Sequence, residues 1–132
     1  MLRTAGLPLW VTLWALIVLA FGLVLGVSAM FGAGLDGMEN SMSVSWGGRH
    51  LGLGLVAGAA VLLRSPSAYV AAFIGCIARD LGDLFAELGK ADPNKGVIVG
   101  ISVFLLISVI ALATAIRTRN ATVATLARGT AN

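Results

Sequence analysis

The residues able to do chemistry in this chain are few, and they are crowded. Arg79, Asp80, Asp83 and Glu87 place four charges within nine residues, in the stretch "CIARDLGDLFAELGK". Arg49 and the chain's single histidine, His50, stand together about thirty residues earlier. Carboxylates beside a histidine can donate and accept protons, and arginines can hold or polarise an oxygen. The candidate catalytic residues are therefore Asp80, Asp83 and His50. Arg49, Arg79, Glu87 and Trp46 are the candidate ligand-binding residues, with Trp46 able to cap a pocket.

The spacing supports one shared face. At about 100° per residue, Cys76, Arg79, Asp80, Asp83 and Glu87 fall within one arc of about 100° on a helix. Ile74, Ile77, Leu81, Leu84, Phe85 and Leu88 fill the opposite side. Arg79 can pair with Asp80 or with Asp83 at i, i+4. Arg49 can pair with Asp83 or Glu87. Two arginines against three acids leave one acid in excess beside His50. Such an acid is a candidate proton donor.

These charges stand in a very apolar chain. Its 132 residues are 58% hydrophobic and 11% charged, with a mean hydropathy of +0.97. A soluble domain usually carries about 25% charged residues. The reading is an all-α integral membrane protein of one domain. The net charge of +3 is spread over the ends of apolar runs and is no signal for nucleic acid. One cysteine, Cys76, excludes an internal disulfide and a multi-cysteine zinc site, and its expected role is packing. One histidine among competing arginines argues against any metal site. Nothing matches a haem, flavin, iron–sulfur or nucleotide motif, so no cofactor is expected.

A crossing helix needs about 20 apolar residues. "LWVTLWALIVLAFGLVLGVSAMF" supplies a first span at 9–31, with Pro8 suited to its first turn. A signal peptide ending at "VSA" is the competing reading, but the apolar run is long for one, so an uncleaved span is expected. "GVIVGISVFLLISVIALATAI" supplies a fourth span at 96–116, in which Ser102 and Ser108 can bond to backbone carbonyls.

The middle spans lack uncharged length. Leu51 to Leu63 is thirteen residues, or about 20 Å of helix. To cross, helix two must begin near residue 45, giving 45–63 and taking Arg49 and His50 into the membrane. Helix three must run 67–88 and take in Arg79, Asp80, Asp83 and Glu87. Ser65-Pro66-Ser67 turns between them, and "GKADPNKG" turns into helix four. This is a four-helix bundle over residues 1–119, followed by a flexible tail at 120–132.

Arginines at 3, 64, 117, 119 and 128 collect on one side, which places both termini in the cytoplasm and the chain in the inner (plasma) membrane. Asn120-Ala121-Thr122 then lies on the wrong side for glycosylation. Both charged clusters fall in the outer half of the bilayer. Gly54 and Gly58 allow close helix approach, and Gly75 and Gly82 offer the same on helix three. Trp10, Trp14 and Trp46 read as interface anchors and packing. The segment 32–48 is either a short lid or a connector.

"GGRHLGLGLVAG" followed by "RDLGD" resembles a loose group of small bacterial four-helix membrane proteins, the DoxX-like proteins. Gly48, Arg49 and Gly54 match the first part, and Arg79, Asp80 and Asp83 the second, within residues 8–116. The resemblance implies a four-helix bundle with no settled activity. Broadly similar small membrane proteins act on quinones, anthrones or terpenoids.

Three functions compete. One is a pocket for a lipophilic small molecule, with acid–base chemistry such as isomerisation, cyclisation or epoxide opening. A second is an accessory subunit whose ion network only packs helices, with a second copy or a partner subunit covering a lipid face. The third is a small transporter or proton path. It is disfavoured because "LVAGAAVLL" offers no polar relay in the other half of helix two. The lipid bilayer is the surrounding partner in each case.

Overall fold

The computed structural model describes residues 6–31 and 40–129. Four α-helices follow one another: α1 (Leu9–Phe31), α2 (Asn40–Leu63), α3 (Pro66–Leu88) and α4 (Lys95–Gly129). No strand occurs among the described residues. The helices α1, α2 and α4 are each long and apolar enough to cross a membrane. Its four charges set α3 apart. It is nevertheless 23 residues long, or about 35 Å, which matches a bilayer core of about 30 Å. The molecule is an all-α integral membrane four-helix bundle.

Short turns make the neighbours antiparallel. Between α2 and α3 the chain reverses within two residues. Arg64 takes a left-handed conformation with φ 51°, and Ser65 is extended at φ −109°, ψ 125° before Pro66 opens α3. Proline suits a first helical turn because its missing N–H has no helical partner there. Asn94 caps α4, its Oδ1 accepting from the Gly96 and Val97 amides at 2.9 and 3.2 Å.

Two boundaries differ from expectation. α2 starts at Asn40 rather than near residue 45, so Arg49 lies about 14 Å along its helix. The tail expected to be flexible from residue 120 is helical through Gly129. The hydroxyls of Thr118, Thr122 and Thr125 donate to the carbonyls of Thr114, Thr118 and Ala121 at 3.0 Å. These bonds give small polar side chains a helical alternative to fraying. Residues 1–5, 32–39 and 130–132 lie outside the described residues, and with them the first part of the proposed lid, whose remainder, 40–48, belongs to α2.

Packing divides the bundle into two halves. In one, Val11, Ala15, Ala57, Tyr69, Phe73, Cys76, Ala111 and Ala115 form a closed core. Trp14 belongs here. It is buried, and its Nε1 donates to Ser108 Oγ at 3.2 Å, so it packs rather than anchors an interface. Ser108 thus serves a side chain as an acceptor. Thr12 and Tyr69 share a second polar contact at 3.3 Å.

α1 and α2 meet along a glycine seam. A Cβ on Gly22 would lie 2.6 Å from the His50 carbonyl oxygen and 2.7 Å from Gly54 Cα. Gly26 and Gly47 approach each other as closely. Backbones this near need residues without side chains. Gly54 therefore acts in close approach with α1 as its partner, while Gly58 faces the Leu19 side chain of α1. Of the α3 glycines, Gly75 faces the Leu53 side chain, whereas a Cβ on Gly82 would meet nothing within 4 Å. Gly82 opens space instead of closing a helix contact.

Candidate functional site: a charged cavity in one half of the bundle

Beyond Phe104 the packed core gives way to a cavity. Phe104 stands at the boundary, its ring 4.9 Å from Trp14 and 5.0 Å from Phe21 between centroids. The cavity has a volume of about 870 Å³ and takes residues from all four helices. Its two walls differ in chemistry. α1 and α4 contribute Val18, Phe21, Leu25, Val97, Ile101 and Phe104. α2 and α3 contribute Trp46, Arg49, His50, Arg79, Asp80, Asp83 and Glu87. Every residue singled out from the sequence as a site candidate lines this one cavity.

Helical spacing explains the assembly. Trp46, Arg49 and His50 are three and four residues apart and share a face of α2. The charged stripe of α3 turns inward, while Ile74, Leu81, Phe85 and Leu88 are exposed on its outer side. A charge at the centre of a spanning helix costs about 2.5 to 3.5 kcal/mol. Burying this stripe in the bundle and pairing it reduces that cost.

The pairs are specific. Arg49 Nη2 donates to Asp83 Oδ1 across α2 and α3. Arg79 stays on its own helix, where Nε and Nη2 both donate to Asp80 Oδ1, at 2.8 and 2.5 Å. Asp83 is occupied by Arg49, so the i, i+4 alternative for Arg79 does not form. Glu87 turns toward the α3–α4 connection. It accepts from Lys90 Nζ at 2.6 Å and from the Asn94 amide at 2.9 Å.

This last contact corrects the charge count. Lys90 also lines the cavity, so among the described residues three cations face three carboxylates and no acid is in excess. Lys90 escaped the sequence reading because it lies beyond the apolar run. Its i, i+3 spacing from Glu87 is the signal that could have found it.

His50 is buried and closely held. Its ring lies 3.8 Å from that of Trp46, and its Nδ1 is 2.9 Å from the Trp46 carbonyl oxygen. Its Nε2 is 3.6 Å from Asp83 Oδ2, beyond hydrogen-bond range for a pair of this kind. Asp80 Oδ2 is covered by protein and has no hydrogen-bond partner. Cys76 is fully buried in the core beside this site. Among the described residues no three histidine, cysteine or acidic side chains converge to hold a metal ion.

Fold and cavity together define a small four-helix membrane protein with a polar chamber in one half of its span. No family model, curated protein or solved structure matches the chain.

Proposed function

We propose that the protein binds a lipophilic small molecule in this cavity, with the molecule's polar end against α2 and α3 and its apolar body against α1 and α4. The observation that carries the reading is the division of one chamber of about 870 Å³ into a charged wall and an apolar wall. Ligand sites are commonly concave, mostly apolar and equipped with a few convergent polar groups. A volume of this size accommodates a drug-sized or lipid-like molecule.

The packing alternative accounts for less. Of the three cation–carboxylate pairs, only Arg49–Asp83 joins two helices. Arg79–Asp80 is internal to α3, and Glu87–Lys90 is local. A network selected to lock helices would place more of its pairs between them. A continuous path across the membrane is also poorly supported, because the other half of the bundle is the closed apolar core.

The outer half of an inner (plasma) membrane remains the proposed setting, with both termini cytoplasmic. Kinship with the DoxX-like proteins remains a proposal too. It is supported by the contact between Arg49 of the first motif segment and Asp83 of the second.

The test uses two glycines. A Cβ on Gly82 or on Gly100 would meet nothing within 4 Å, and both residues line the cavity. Gly82→Leu and Gly100→Leu should fill the chamber while leaving the bundle folded. Native mass spectrometry of the wild-type protein in mild detergent should show a bound lipophile, absent from both variants. An equally occupied folded Gly82→Leu, Gly100→Leu double variant would remove the cavity from consideration.

A further inference from the structure

The bond from His50 Nδ1 has a direction. A carbonyl oxygen only accepts, so Nδ1 must carry the proton that it gives to Trp46. In the neutral ring the other nitrogen, Nε2, then holds a lone pair. That lone pair lies 3.6 Å from a carboxylate oxygen, Asp83 Oδ2. Two acceptors face each other with no proton between them. His50, itself 7% exposed, lines the cavity. The arrangement leaves an acceptor pair open to a donor from the chamber.

A nearby donor completes the pattern. Arg49 holds the other oxygen of the same carboxylate, Asp83 Oδ1, through one Nη. Its side chain is 45% exposed, and a guanidinium has further N–H groups to offer. A group that gives one hydrogen bond to Nε2 and accepts one from Arg49 matches this corner. A hydroxyl has that valence. A carboxylate has no proton for Nε2 and would stand beside Asp83. An ammonium would add an unpaired cation to a chamber whose three cations already face three carboxylates. Burying unpaired charge is costly.

Building on the pocket reading above, we infer that the ligand is an uncharged lipophile bearing a hydroxyl, an alcohol or a phenol, whose O–H donates to His50 Nε2 and whose oxygen accepts from Arg49. His50 is the residue that selects the head group. Trp46 is a positioning residue, because its carbonyl fixes which ring nitrogen carries the proton.

The test compares three probes with one chain: dodecanol, dodecanoate and dodecylammonium, each titrated into the protein in lipid nanodiscs against empty nanodiscs. Dodecanol should bind at least about tenfold more tightly than either charged probe, a difference that a single well-made hydrogen bond and an avoided buried charge can supply. His50→Phe should erase that preference while retaining some dodecanol binding. Because His50 is the only histidine, ¹⁵N-histidine labelling reports on it alone, without a variant. The free protein should show the Nδ1–H tautomer, and dodecanol should move the Nε2 resonance. Equal binding of the three probes, an Nε2–H tautomer or an imidazolium would overturn the inference and leave the pocket standing. Failure of all three probes to bind would remove the pocket reading on which it rests.

Discussion

Arg49 and Asp83 form the one arginine–carboxylate pair among the described residues that joins two helices, α2 to α3. The pair is asymmetric, since Asp83 is largely buried while Arg49 is 45% exposed. Its other neighbour, His50, belongs to the same helix as Arg49. One carboxylate thus gathers the polar residues of α2 onto the charged stripe of α3.

That asymmetry sets the size of the effect expected on breaking it. Exposed pairs are worth at most about 1 kcal/mol, and losing one member of a buried pair costs several times more. Arg49→Ala should therefore lower Tm more than Asp83→Ala, because it leaves the buried carboxylate unpaired while Asp83→Ala leaves only an exposed guanidinium. In a double-mutant cycle the two should couple by about 1 kcal/mol, with the double variant close to Asp83→Ala alone. Strictly additive losses in detergent would show that the contact contributes nothing to holding α2 on α3.

The glycines should separate into two classes. Gly22→Val and Gly54→Val push a side chain into opposing backbone less than 3 Å away and should each destabilise by about 1–3 kcal/mol or more. Gly82→Ala and Gly100→Ala meet open space and should stabilise their helices by about 0.5–1 kcal/mol. Thermal unfolding of the four variants checks this, and a uniform response would contradict the seam.

Ser108 Oγ accepts the hydrogen bond of the Trp14 indole N–H. Ser108→Ala leaves the buried indole N–H without an acceptor and should cost about 1–2 kcal/mol. Trp14→Phe in the same background should lose little more on that account. The comparison is a Tm measurement on the two single variants and the double.

Arg64 occupies a backbone region that costs a side chain about 1–2 kcal/mol. Arg64→Gly should raise Tm by relieving it, and Arg64→Val should lower Tm. A drop in both would mean that the guanidinium itself stabilises the α2–α3 turn.

Glu87 ties the end of α3 to the cap of α4 through the Asn94 amide, while its pair with Lys90 is local. In Glu87→Ala the Asn94 amide should exchange with solvent faster than in the wild-type protein, while amides in the packed half around Phe73 keep their protection. Unchanged exchange at Asn94 would deny Glu87 that role.

The lengths of the apolar runs and the turn residues at 65–67 and 89–95 are enough to dictate four helices in a membrane. The helical period is enough to place Arg79, Asp80, Asp83 and Glu87 on one side of α3, because a charge facing lipid is too costly to keep. The same logic puts Trp46, Arg49 and His50 on one face of α2. The pairing within that set lies beyond such reasoning. Spacing alone allows Arg79 to reach Asp83, and it gives Arg49 a choice of acids. Only the approach of α2 to α3 commits Asp83 to Arg49, leaves Asp80 to Arg79 and turns Glu87 toward Lys90. A separate contact, α1 on α2, rests on Gly22, Gly26, Gly47 and Gly54, which bring those two backbones together. Glycine spacing announces that a close contact exists without naming the partner helix. Local periodicity is a property of one helix, whereas ion pairing and an open chamber are properties of how several helices meet.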